Sequence, residues 1–500
     1  MEDPRLLANR SGGLLVDPVQ IDLLKEWLAR RPDAGDLEPV EMTAVLVEPD
    51  AIFRLVEAIR LAGARERGAL LVTDPTPMRR QGQDLKSLVR STLQEAGVSV
   101  WELSLPPDSS GRVSADFSNV DLVRQQIRPN CAVVGLGPGT VADVAKHACF
   151  LREREDGRRV PLVICPTANT VTAYSANMAV LARDGVKRTW PSRYPDVVVA
   201  DLRTLAEAPR HLAVAGLGDC CPIFVSYADW YIAHKWGFEP FYSETPLELF
   251  ANLDRIFLDN AAAVASGSLE GAGILAKVII LAGIAQSVVR MSRPFSGLEH
   301  VVLHLLDDVV APLHGRALPL HGAQAGVATV IAAAAYEEFL DSFDPAKAMR
   351  AVERPLDEMQ AKHALWSVFD RFDSAGELAQ TLWNEYQPKV AVWNENRERV
   401  RTFIQGWDAC GHKTKIKSLV RPAATVAAIL HAAGGPLSFE ELTPPVREEE
   451  YRSAFVNAPY SRRRFTLLDV LHFLGMLDET FMDRALGRAR AAISSARSSA

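Results

Sequence analysis

The first two hundred residues alternate two hydropathy patterns. Six short runs are apolar or β-branched along their whole length: Thr43–Val47, Ala69–Thr73, Val98–Leu103, Cys131–Gly135, Leu162–Cys165 and Val197–Ala200. Between them lie amphipathic stretches such as Ala51–Leu61, Asp84–Ala96 and Val141–Leu151. A strand that is apolar on both faces is buried on both faces, and helices between such strands supply the cover, so the pattern predicts a parallel α/β sheet. From about Leu202 the strand-like runs stop, and long stretches rich in Ala, Leu and Glu, punctuated by Gly and Pro, predict helices. The seam falls at Asp201–His211, where Ala208-Pro209-Arg210 separates the last strand from the first long helix. These patterns predict an α/β domain over residues 1–205 and a helical domain over 206–500, with an Arg/Ala/Ser tail, Arg488–Ala500, that frays. Internal repeats are not visible.

Composition narrows the class without naming it. Five hundred residues exceed one ordinary core, and 48% hydrophobic with 23% charged residues is normal for a globular chain. A formal charge of -7 leaves no basic footprint, so nucleic acid is not an expected partner. The start, Met1-Glu2-Asp3-Pro4, lacks the basic and apolar segments of a secretory signal, and cytoplasmic localisation is expected. The longest apolar run, near Val278–Ala285, is too short for a membrane span and predicts a buried helix. None of the six cysteines forms a Cys-x-x-Cys pair, which favours buried, reduced thiols.

Three features carry chemistry. Gly135-Leu136-Gly137-Pro138-Gly139-Thr140 follows a buried strand and opens a helix, where backbone N–H groups and the helix dipole suit a phosphate. The same glycines also suit a strand-to-helix turn on geometric grounds alone. Asp143 and Lys146 follow at helical spacing and could reach back to the same ligand, while Asp74 ends a strand where an acid suits a ribose diol or simply starts a turn before Pro75. The third feature is a histidine cluster. A 22-residue stretch of a chain with 11 His in 500 should hold about half of one, yet His300, His304, His314 and His321 share such a stretch. His300 and His304 are i, i+4 and lie on one helix face, and a carboxylate beside such imidazoles completes a zinc-type site. Asp219, after Gly216 and Gly218 at an expected helix start, is the carboxylate candidate, with N-capping as its ordinary role.

Taken in order, these segments resemble the sn-glycerol-1-phosphate dehydrogenases, within the group of glycerol dehydrogenases, iron-containing alcohol dehydrogenases and dehydroquinate synthases. The match begins at Leu71-Val72-Thr73-Asp74. It meets the family's Gly-x-Gly-x-Gly-Thr-x-x-Asp turn at Gly135, Gly137, Gly139, Thr140 and Asp143, and its Pro-Thr-Ala segment at Pro166-Thr167-Ala168. It continues through Pro195–Leu202, Gly216–Asp219 and Asp229-Trp230 to Arg293-Pro294-Phe295-Ser296-Gly297-Leu298-Glu299-His300 and His321-Gly322-Ala323-Gln324. Arg463-Arg464-Phe465-Thr466-Leu467-Leu468-Asp469 is similar to a segment near the end of bacterial members.

The resemblance implies a Rossmann-like nucleotide-binding half and an all-α, metal-binding half of the dehydroquinate synthase type. It implies that Asp219, His300 and His321 are ligands of one divalent ion, zinc or nickel, and that His304 is a polar neighbour able to relay a proton. It implies that Asp74, Gly135, Gly137, Gly139, Thr140, Asp143, Thr167 and Thr170 face NAD or NADP. Lys146 would lie near the phosphates or the substrate, with Arg293 as a further anchor for a phosphorylated substrate. One position departs from the pattern: where the family places an acid near the substrate, this chain has Thr172. The implied reaction interconverts dihydroxyacetone phosphate and sn-glycerol 1-phosphate. The alternatives are a dehydroquinate synthase-like cyclase or lyase with catalytic NAD, and a catalytically silent homologue. A homo-oligomer is compatible with the sequence.

Overall fold

In the computed structural model the described residues are 13–65, 68–108, 111–183, 186–310, 317–370 and 376–498. The six apolar runs form one six-stranded parallel sheet: β1 (Ala44–Glu48), β2 (Gly68–Thr73), β3 (Ser99–Ser104), β4 (Ala132–Gly137), β5 (Leu162–Pro166) and β6 (Val197–Asp201). The strand order is β1-β6-β5-β4-β2-β3. Its central strands are buried along their whole length, which is why they read as unbroken apolar runs rather than as alternation. Leu71, Val134, Val163 and Val197 from the strands pack with Leu55, Ile59, Leu85, Val89 and Leu93 from two flanking helices. Burying each such side chain contributes roughly 1.5–3 kcal/mol. Two antiparallel hairpins escape the apolar-run criterion: Arg79–Arg80 with Gln83–Asp84, and Met178–Arg183 with Val186–Pro191.

The chain forms two compact units, and the seam is not a single cut near residue 205. The first unit holds Met1–Cys220 and Thr245–Ser292, and the second holds Cys221–Glu244 and Arg293–Ala500. The returning segment belongs to the first unit because its main helix is tied there. Helix Leu269–Val288 accepts hydrogen bonds at Ala272 O from Asn169 Nδ2 (2.9 Å) and at Ile280 O from Ser175 Oγ (2.7 Å). It contains the apolar run Val278–Ala285, and 89% of its most apolar stretch is buried within the protein.

The second unit is helical throughout its described residues. Its last helix, Glu479–Ser498, corrects the expectation of a frayed tail. Ala485, Ala489, Ala492 and Ala496 form a buried stripe at helical spacing, while Arg484 and Arg488 pair with Glu338 and Arg490 with Glu448. What reads as a low-complexity tail is the end of an amphipathic helix whose buried face begins with Phe481, Met482 and Leu486 and continues in alanine. Among the described cysteines no disulfide occurs; five are buried and Cys410 is exposed.

Candidate functional site

The cofactor candidates of the first unit meet at one end of the sheet. The chain runs from β2 outward to β3, then returns to β4 on the other side of β2, so the topological switch point lies between β2 and β4. Ligands of open parallel sheets bind in the crevice beyond the strand ends at such a point. Asp74 follows β2, the glycine turn follows β4, and Thr167 follows β5, its N–H donating to Gly137 O at 3.3 Å. The helix opened by this turn, α1 (Gly139–Asp156), is 18 residues long. It begins after Pro138 with no side-chain cap, which leaves its first N–H groups and dipole for a ligand.

The three glycines answer to packing. A Cβ at Gly135 would lie 2.9 Å from Ile164 Cδ1 of β5, one at Gly137 would lie 2.6 Å from Val141 Cγ2, and one at Gly139 would lie 2.5 Å from Val171 Cγ2. They let α1 and the Thr170–Tyr174 segment sit against the strand ends. Asp74 is 4% exposed, and its Oδ1 accepts the Thr76 N–H at 2.9 Å, closing a turn.

Asp143 and Lys146 do share a face of α1, but that face points into the protein. Lys146 is 0% exposed, and its Nζ donates to the carbonyls of Ala173 (2.5 Å), Ala176 (3.0 Å) and Met178 (2.7 Å) while pairing with Asp143 at 3.0 Å. Burial pushes the Asp143 carboxyl above its ordinary range and pulls the Lys146 ammonium below its own, each opposed by the other's charge. This differs from the expected contact with phosphates or substrate: three carbonyls and a carboxylate already occupy the ammonium. The pair fixes the path of residues 173–178 instead. Just before that path, Thr170 Oγ1 meets Tyr174 Oη at 2.8 Å, and Thr172 Oγ1 accepts from Gln286 Nε2 at 2.9 Å.

Asp219 lies in the last turn of helix Arg210–Cys220, not at a helix start, so it is not an N-cap. A carboxylate there faces the negative end of the helix dipole, an unfavourable placement by about 0.3–1 kcal/mol that capping does not explain. It is 7% exposed. Gly216, one turn earlier, is held to glycine by contact: a Cβ there would lie 2.0 Å from Asn169 O.

In the second unit His300 and His304 lie on helix Leu298–Leu305, and His321 opens helix His321–Ser342. The His300 and His321 rings are 5.0 Å apart between centroids, edge to face, and His304 stands 6.4 Å from the first and 6.5 Å from the second. His314 lies outside the described residues. Burial, helped by the Arg464 guanidinium, pulls the His300 imidazole down to about 3, and burial with nearby Arg462 lowers His304 well below its usual value. Both imidazoles are therefore held neutral, the form that offers a lone pair to a cation.

Around this pair stands a buried polar shell that sequence reading missed. Glu299 Oε1 lies 3.1 Å from His300 Nδ1 and accepts the Gly297 N–H at 2.5 Å, while its Oε2 is buried without a hydrogen bond. Asp229 accepts from Leu298 N–H (2.7 Å), Leu467 N–H (2.7 Å) and Tyr336 Oη (2.5 Å). Burial raises both carboxyls to about 7, and for Asp229 the neighbouring Glu299 adds to the rise. Arg464 donates to Ser296 O and Oγ. Arg293, expected as a phosphate anchor, is 6% exposed and donates instead to Glu239 Oε2 and Phe465 O, both at 3.0 Å. The segments 293–300 and 463–469 are thus two sides of one scaffold that holds the histidine helix.

The fold, a parallel α/β sheet followed by helices, agrees with comparison with known proteins. Residues 46–209 match the family model for iron-containing alcohol dehydrogenase. A glycerol-1-phosphate dehydrogenase [NAD(P)+] of Thermofilum pendens is 36% identical over 44% of this chain and 61% of its own. One from Haloquadratum walsbyi is 31% identical over 58% of this chain and 76% of its own. The chain belongs to the glycerol-1-phosphate dehydrogenase family, within the iron-containing alcohol dehydrogenase group. For two of the curated relatives the match spans 62% and 61% of their length. The crystal structure of maleylacetate reductase from Agrobacterium tumefaciens superposes with a TM-score of 0.51 at 14% identity, covering 90% of this chain and 96% of that one, which speaks to the fold alone.

Proposed function

We propose that this protein is a metal-dependent NAD(P)H oxidoreductase that interconverts dihydroxyacetone phosphate and sn-glycerol 1-phosphate, working in the cytoplasm. The observation that carries the reading is the pair of imidazoles, His300 and His321, 5.0 Å apart between ring centroids and brought together from two helices of a chain in this family. By the family resemblance the Asp219 carboxylate would join them, and one oxygen with two nitrogens is a donor set that fits a zinc-like or nickel-like ion. The nucleotide would lie beyond β2, β4 and β5, with its phosphates against the open N-terminus of α1.

When bound, the ion polarises a carbonyl oxygen and the nicotinamide supplies the hydride. The chain's own residues do the rest. Gly135, Gly137 and Gly139 let the backbone approach, Asp143 and Lys146 hold residues 173–178 in place, and His304, neutral and beside the pair, can pass a proton to the product oxygen. Thr172, hydrogen-bonded to Gln286, stands where relatives carry an acid and presents a neutral surface there.

The test is NADH and NADPH oxidation with dihydroxyacetone phosphate, with zinc or nickel supplied and with chelator. Metal-dependent oxidation that His300→Ala abolishes supports the proposal. Full activity after exhaustive chelation overturns its metal, and conversion of a substrate without net NADH consumption points to the internally recycling cyclase.

A further inference from the structure

Resting on that reading, we infer that Glu299 is a positioning residue: its Oε1 accepts a hydrogen bond from Nδ1–H of His300, fixing the imidazole as the tautomer whose Nε2 lone pair is available to the cation. The neighbouring residue in sequence is rarely a partner on a helix, because i and i+1 side chains diverge around the axis. Here they meet, with Nδ1 and Oε1 3.1 Å apart. The encounter is built by the turn before the helix. Gly297 donates its N–H to the same Oε1 at 2.5 Å, so the carboxylate folds back over the helix start instead of extending into solvent. Glu299 is 0% exposed, a place where a carboxylate is retained only with partners.

Gly297 is also the hinge of this arrangement. A Cβ at that position would fall 2.3 Å from Asp229 Oδ2 and 3.1 Å from Glu299 Oε2, so glycine is what admits both carboxylates to one side of the turn. Asp229 in turn is fixed by Tyr336 and by the N–H groups of Leu298 and Leu467. His300 is thus oriented through Glu299 by a network whose members come from four separate stretches of the second unit.

The test is zinc affinity of the metal-stripped full-length protein, by competition with a chromophoric chelator, for wild type, Glu299→Gln and Glu299→Met. Loss of a partner that orients a ligating histidine lowers metal affinity by about 10–100-fold. Glu299→Met is expected to fall in that range, and Glu299→Gln, whose amide oxygen still accepts from Nδ1–H, to stay within about 3-fold of wild type by the same reasoning. Wild-type affinity in both variants overturns the inference, whereas a wild-type protein that binds no zinc overturns the underlying proposal instead. Should Glu299→Met fail to fold, long-range 15N–1H spectra of histidine-labelled wild type decide the matter. A His300 signal of the Nδ1–H tautomer, identified by its absence in His300→Gln, is expected; the Nε2–H tautomer refutes the inference.

Discussion

Replacing Lys146 by methionine separates two roles that the sequence leaves equal. Methionine fills much of the space of the lysine stem, so the change removes chiefly the ammonium. What disappears is three N–H···O=C bonds, to Ala173, Ala176 and Met178, and the partner of a buried carboxylate at 3.0 Å. Removing one member of a buried ion pair costs about 3–5 kcal/mol, because the remaining charge stays desolvated. Against a total stability of roughly 5–15 kcal/mol, that is a large fraction of what keeps the domain folded.

The companion variant sharpens the argument. In Asp143→Asn/Lys146→Met no uncompensated charge remains, so the double variant should be more stable than Lys146→Met alone by at least about 1 kcal/mol. Urea unfolding followed by circular dichroism, with KM for NADH measured on the same preparations, reads both quantities. A Lys146→Met protein within about 1 kcal/mol of wild type but with KM raised 10-fold would refute the structural role and return Lys146 to the cofactor.

Further expectations address other parts of the fold. His472 is buried against Tyr386, its Nε2 2.7 Å from the phenol oxygen, and burial holds its pKa at about 4. The unfolded chain takes up a proton near pH 6.5 that the native imidazole refuses until pH 4. Its contribution is therefore complete above pH 6.5 and declines by roughly 3 kcal/mol as pH falls through that window. His472→Gln should flatten that part of the stability–pH curve, and an unchanged slope would count against the assignment. Gly283→Ala places a Cβ 2.3 Å from Ser175 Oγ and 2.5 Å from Thr172 O, so it should destabilise by about 1–3 kcal/mol in thermal unfolding. Ala489→Glu puts a charge at a position 2% exposed in the last helix, and a loss of about 2–5 kcal/mol is expected; a neutral result would mean that helix is not docked.

How far the sequence could be read depends on what each pattern reports. Hydrophobicity reports burial, so the four central sheet strands, buried along their whole length, stood out as runs. The hairpin at Met178–Pro191 was not read as strands: its first strand buries only Ala179 and Leu181, and the sequence of its second runs through Lys187, Arg188 and Thr189. The alanine stripe of the last helix was invisible for a related reason: alanine is weakly apolar, and the arginines between its members dominate the composition. Burial also says nothing about which body a helix joins. Leu269–Val288 reads as a core helix, and bonds such as those to Asn169, Thr172 and Ser175 assign it to the first unit.

Periodicity likewise reports which side chains share a face, not what the face meets. Asp143 and Lys146 were paired by spacing, and that pairing is real, but the same spacing serves a ligand-facing pair and an interior latch equally well. The signal that separates them is the neighbourhood: apolar Val141, Ala142, Val144, Ala145 and Ala148 surround the pair. Glu299 carried the same signal, as the one acid of a helix whose remaining residues apart from His300 and His304 are apolar. A charged side chain set in apolar sequence has to be neutralised or hydrogen-bonded where it is buried. For Lys146 the partners are backbone carbonyls, and the residue is architectural. For Glu299 a partner is the imidazole of His300, and the same physical demand that explains its burial ties it to the histidine pair.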